Sequence, residues 1–97
     1  MTEITDAGLA HLRRLPALKR LNLESTSISD AGLRQLAAIE SLEDLDLSGT
    51  AMTDAGLKEL RPLKNLRSLA LKRTAVTDAG LGELKAFPRL ASLTIGR

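Results

Sequence analysis

Apolar residues recur along the chain in a fixed order. Leu18, Leu21 and Leu23 are followed by Leu42, Leu45 and Leu47, then by Leu66, Leu69 and Leu71, then by Leu90, Leu93 and Ile95. A single residue separates the last two apolar positions of each set, which is the period of a strand. The pattern predicts short strands near residues 20–23, 44–47, 68–71 and 92–95. Ahead of each strand runs T/S-D-A-G-L-x-x-L-x-x-L/I/F, and apolar spacing of three suits a helix. Thr5, Ser29, Thr53 and Thr77 stand where a helix N-cap belongs. Asp6, Asp30, Asp54 and Asp78 follow in the first turn, where negative charge is favourable against the helix dipole. At about 100° per residue, Gly8, Gly32, Gly56 and Gly80 fall on the inward face. Glycine costs about 1 kcal/mol in a helix, so its recurrence predicts a close approach by the strand layer or the next helix.

The unit is 24 residues long and appears four times, at residues 4–27, 28–51, 52–75 and 76–97, the last copy having 22 residues. It leaves no linker or low-complexity tract, so residues 1–97 read as a single repeat domain. The combined pattern L-x-x-L-x-L-x-x-T-x-I/M/V-T-D-A-G-L resembles the leucine-rich-repeat superfamily. It most resembles the bacterial repeats with a TDAGL signature, which are similar in turn to the cysteine-containing repeats behind F-box domains. The resemblance implies a right-handed α/β solenoid with a parallel sheet on the concave side and helices on the convex side. Thr26, Thr50 and Thr74 stand where relatives carry Cys or Asn, which implies that they satisfy backbone groups in the turn after each strand. The sequence shows no F-box segment, so a ubiquitin-ligase role does not carry over.

Strands stack about 4.8 Å apart, whereas helices pack at about 8–10 Å. The helix side must therefore fan out, bending four units into a short arc. Strand alternation then aims Arg20, Asn22, Glu24, Asp44, Asp46, Ser48, Ser68, Lys72, Ser92 and Thr94 into the concave face, the candidate binding surface. Ala70 belongs to the same row. Equal spacing sets Arg20 beside Asp44, and at the strand entrance Lys19, Glu43 and Arg67 form a row of alternating charge.

Composition narrows the chemistry. With no Cys, Trp or Tyr and one Phe, the core is aliphatic, thiolate metal sites are excluded, and aromatic interface anchors are missing. Net charge is +2, but it is unevenly divided. Residues 4–27 carry +2, 28–51 carry −4, 52–75 carry +4 and 76–97 carry +1. A nucleic-acid face would be basic throughout. Alternation fits attraction between neighbouring repeats better, so nucleic acid is not an expected partner. No apolar run is long enough to span a bilayer, and the opening Met-Thr-Glu-Ile-Thr-Asp lacks the apolar region of a signal peptide. A cytoplasmic setting is favoured.

No catalytic set emerges. His11 shares its repeat position with Gln35, Glu59 and Glu83 and reads as a solvated helix residue. The four helix-start aspartates are accounted for as helix-start residues, and their spacing argues against a shared calcium ion. Glu40, Glu43, Asp44 and Asp46 form an acidic cluster that suits adjacent basic repeats or a basic ligand. The expectation is therefore a module that binds an unknown protein partner, with no enzyme activity and no cofactor. The alternative is an engineered or truncated array that associates with itself. For that alternative, apolar ends are expected at Leu9, Leu12, Leu21 and Leu23 on the front and at Leu84, Leu90, Leu93 and Ile95 on the back. The back, with an unguarded strand at residues 92–95, is the expected contact of a closed homodimer through the C-terminal repeat.

Overall fold

The computed structural model describes residues 8, 9 and 17–96. Leucines at alternating positions produce β1 (Arg20–Asn22), β2 (Asp44–Asp46), β3 (Ser68–Ala70) and β4 (Ser92–Thr94). Between them lie α1 (Asp30–Leu36), α2 (Asp54–Glu59) and α3 (Asp78–Leu81), the last continuing into a 3-10 turn at Gly82–Ala86. The strands form one parallel sheet in the order β1-β2-β3-β4. Its register pairs Leu21 with Leu45, Leu45 with Leu69 and Leu69 with Leu93. Each strand thus sits one repeat from its neighbour. The strands are about a residue shorter than the apolar pattern suggests. Ladder bonding nevertheless continues past them, for example from the Leu47 N–H to the Ala70 carbonyl at 2.9 Å.

The helices are short. The third apolar position of each helical pattern, Ile39, Leu63 or Phe87, lies beyond the helix and is buried in the loop that returns to the sheet. Phe87, the one aromatic residue, plugs the core with 3% exposure. Leu33, Leu36, Leu42, Leu47, Met52, Leu57, Leu60, Leu63 and Leu66 are fully enclosed between sheet and helices. Packing loosens toward higher numbers. Val76, Leu84, Leu90 and Leu93 are only partly covered, and Ile95 keeps 46% of its surface exposed. At the other end Leu9 and Leu23 are fully buried and Leu21 is half-buried. The expected apolar front therefore does not extend to Leu9 or Leu23, and Leu12 lies outside the described residues.

The turns after β1, β2 and β3 are held from within, as the resemblance implies. Hydroxyls of Thr26, Thr50 and Thr74 donate to the carbonyls of Leu23, Leu47 and Leu71 at 2.7, 2.7 and 2.9 Å. Just before each threonine the backbone turns left-handed, at Ser25 (φ 57°), Gly49 (φ 71°) and Arg73 (φ 55°). Of the three only Gly49 adopts this region without a Cβ penalty.

Candidate interaction face

Outward positions on β1 to β4 define the face. Asp44 and Arg20 meet there at 3.2 Å, with side chains 45% and 86% exposed, so the pair is solvent-screened and weak. At the next outward position, Asn22 Oδ1 accepts the Glu24 N–H and Asp46 Oδ1 accepts the Ser48 N–H, both at 2.9 Å. These residues close the turn at the end of their own strand as well as facing outward. Glu24 pairs with Arg73 at 3.3 Å, two repeats away. The intervening turn carries Gly49, which has no side chain to block that reach.

Arg20, Leu21, Asn22, Asp44, Leu45, Asp46, Ser68 and Ala70 surround a shallow cavity of about 380 Å³. It brings together six of the residues read from sequence as concave: Arg20, Asn22, Asp44, Asp46, Ser68 and Ala70. Glu24, Lys72, Ser92 and Thr94 are exposed but do not line it. Ser48 does not belong to the face. It is 3% exposed, and its hydroxyl accepts the Lys72 N–H at 3.0 Å. The period-2 alternation ends at Asp46, so extrapolating it one step further misplaces this serine.

The strand-entrance row is held differently from the expected charge pairing. The Glu43 N–H donates to the Lys19 carbonyl at 2.8 Å and the Arg67 N–H to the Glu43 carbonyl at 2.7 Å. Among the described residues the four ion pairs lie elsewhere, at Arg20–Asp44, Arg34–Glu59, Arg61–Glu83 and Arg73–Glu24. Two of these lie on the helix side, joining Arg34 of α1 to Glu59 of α2 and Arg61, just past α2, to Glu83 of the 3-10 turn. They also correct the reading of the position shared with His11. Glu59 and Glu83 are half-buried in the seam between helices, each held by an arginine of the preceding repeat. That position is a joint between repeats and not a freely solvated one. His11 itself lies outside the described residues.

The helix-start aspartates do more than oppose a dipole. Asp30 accepts the Thr53 N–H at 2.8 Å and the Thr53 hydroxyl at 2.6 Å, one on each carboxylate oxygen. Asp54 holds the Thr77 N–H at 2.7 Å and the Thr77 hydroxyl in the same way. The Thr77 hydroxyl first and then its N–H keep the Asp54 carboxyl below its ordinary value of 3.8; desolvation opposes them, and Lys58 adds the weakest lowering effect. Thr53, Ser29 and Thr77 all have the extended backbone of an N-cap, but only Thr53 caps with its side chain, accepting from the Ala55 N–H.

The recurrent glycines complete this clamp. A Cβ on Gly56 would collide with Asp30 Oδ1 and lie 2.5 Å from Leu33 Cδ1. A Cβ on Gly80 would collide with the Asp54 carboxylate. These are buried helical glycines, each making room for an aspartate of the repeat before it. The sequence carried a signal for this: Asp recurs 23 residues before Ser or Thr and 26 before Gly in every successive pair of repeats.

Among the described residues, no helix is long and apolar enough to cross a membrane. A family model for leucine-rich repeats matches residues 14–37 and 39–60. Among solved structures the chain is similar to an internalin from Listeria monocytogenes, with 26% identity and a TM-score of 0.76. That likeness covers 87% of this chain and 24% of the internalin, so this chain spans about a quarter of that protein's length. No curated protein matches the sequence. The repeat motif, the parallel sheet alternating with helices and the internalin likeness lead to one conclusion about the fold: the chain is a short α/β repeat arc, similar to a leucine-rich-repeat solenoid.

Proposed function

We propose that the chain is a protein-binding module that uses the concave sheet face, with Asp44 and Asp46 at its centre. The observation that carries this reading is the contrast along the strands. The inward position is leucine in every repeat, at 21, 45, 69 and 93, while the flanking outward positions change from Arg20 and Asn22 to Asp44 and Asp46, then to Ser68 and Ala70. A solenoid that holds its core constant and varies one face presents a rigid, specific surface. The partner this face suits offers a basic group to the acidic centre, since Asp46 keeps one carboxylate oxygen beyond the bond to Ser48. The D-A-G-L clamp supports grouping these units with the TDAGL-type repeats.

The test is a pull-down with three proteins: the unaltered chain, an Asp46→Lys, Ala70→Glu double variant, and Lys58→Glu on the outer helix. A specific partner held by the first and third and lost by the second supports the concave face. A partner lost through Lys58→Glu and retained by the double variant overturns it. A second reading, self-association, is favoured by a separate observation. The half-buried leucines and exposed Ile95 lie beside β4, whose outer edge is unpaired among the described residues.

A further inference from the structure

One position in the return loop changes its role along the array. Ala17, Ser41, Asn65 and Arg89 stand at the same place in successive repeats. Where that side chain is a short hydrogen-bonding one, it ties its repeat to the one before. The Ser41 hydroxyl donates to the Leu18 carbonyl, and Asn65 Nδ2 donates to the Glu40 carbonyl at 3.0 Å. Among the described residues Arg89 makes no such tie. It is exposed and borders a hollow of about 390 Å³ with Arg67 and Glu43. We propose that this hollow is an anion site, in which Arg67 and Arg89 together hold a carboxylate side chain of a partner protein.

The two guanidinium groups are available for such a ligand. Arg20, Arg34, Arg61 and Arg73 each have a carboxylate of their own. No carboxylate among the described residues pairs with Arg67 or Arg89, although Glu43 lines the same hollow. The backbone fixes the walls in register. The Arg67 N–H donates to the Glu43 carbonyl at 2.7 Å, and the Arg67 carbonyl accepts the Ala91 N–H at 2.9 Å. The hollow spans the second to the fourth repeat and is complete within the described residues. Two cations on one hollow repel each other, and an anion between them removes that cost. A planar guanidinium presents parallel N–H groups that match the two oxygens of a carboxylate.

The charge of the hollow selects the anion. Arg67, Arg89 and Glu43 leave one formal positive charge, which a carboxylate neutralises. A phosphate monoester carries about −1.5 to −2, and the excess would face the half-buried Glu43. Small-molecule sites enclose their ligands in mostly apolar walls, whereas all three residues lining this hollow are charged. An acid presented on a protein surface therefore suits it better than a free small acid. The site lies apart from the acidic centre of the concave face and takes the opposite charge, so either reading can fail alone.

A titration followed by nitrogen–proton correlation NMR tests this. The probes are the peptide acetyl-Glu-Gly-Glu-Gly-Glu-amide, its counterpart with glutamine in place of each glutamate, and inorganic phosphate. The acidic peptide should shift the backbone amides of Arg67, Arg89 and Ala91, and less so at high salt. The glutamine peptide should leave them in place. Arg89→Asn, which copies Asn65 of the preceding repeat, should weaken the acidic peptide about threefold to fivefold and leave the circular dichroism unchanged. Lys85→Gln removes the same charge from the 3-10 turn of the same repeat and should leave the affinity unchanged. Glu43→Gln should tighten the acidic peptide and tighten phosphate more. If Arg89→Asn does not fold, Arg67→Gln takes its place with the same expected loss. An acidic peptide that leaves the three amides unmoved, or that loses as much affinity in Lys85→Gln as in Arg89→Asn, overturns the site. Phosphate that binds the unaltered chain more tightly than the acidic peptide overturns the choice of a carboxylate.

Discussion

Replacing Gly56 with alanine adds one methyl group to a helix, which on helix propensity alone stabilises by about 1 kcal/mol. The structure reverses the sign. The new Cβ lands on Asp30 Oδ1 and 2.5 Å from Leu33 Cδ1, and Leu33 is fully buried. One escape is for the Asp30 carboxylate to swing away, which gives up its two bonds to Thr53, at about 0.5–1.5 kcal/mol each. The other is to keep the clamp and shift the packed atoms, and overpacking of this kind costs about 1–3 kcal/mol. After subtracting the propensity gain, a net loss of up to about 2 kcal/mol is expected. Gly82→Ala is the matched control. Its backbone is helical, with φ −64°, and a Cβ there has no neighbour within 4 Å. It should stabilise by about 0.5–1 kcal/mol. Urea unfolding of the two variants, followed by circular dichroism, gives both signs directly. If Gly56→Ala raised the midpoint as Gly82→Ala does, the clamp would not constrain that glycine and the reasoning would fail.

Gly56→Val should lower the urea midpoint far more than Lys58→Val, whose side chain is exposed on the same helix. Thr50→Val should destabilise by about 1–2 kcal/mol, because the buried Leu47 carbonyl loses its hydroxyl donor; a midpoint within error of the unaltered chain would contradict this. The lowered pKa of Asp54 means that its charged form favours the folded state. Its contribution is present above the ordinary carboxylate value of 3.8 and is lost as pH falls through the lower folded value. Unfolding midpoints measured from pH 6 down to pH 2 should therefore drop less steeply for Asp54→Asn than for the unaltered chain.

Most of the fold could be read from the leucines because a period repeated four times leaves little choice. Once Leu21 and Leu45 occupy the same place in successive units, their strands must pair in that register, and Arg20 must stand beside Asp44. The clamp was harder to see for the same reason. In a perfect repeat every residue recurs, so Asp30 could equally serve its own helix or the next repeat, and only coordinates separate the two. Alternation also failed where the strand stopped: Ser48 has the parity of an outward residue but sits in a turn that folds it inward. Of the face, the charged and amide residues of β1 and β2 were legible. The cavity they surround was not, since concavity depends on how far the helices fan apart.

The constant offset between strand partners bears on how the chain finds its structure. Leu21 pairs with Leu45, Leu45 with Leu69 and Leu69 with Leu93, so no ladder requires chain ends more than one unit apart to meet. Loop-closure entropy rises with the logarithm of the intervening length, and here that length is the same at every step. A parallel sheet ordinarily folds slowly because its pairings are distant in sequence. This one can begin at any adjacent pair and grow by the same increment each time, with the Asp–Thr clamp closing behind each added unit. Lengthening such an array by duplication would add stability without adding a more distant contact, so its folding search stays local however many units it gains.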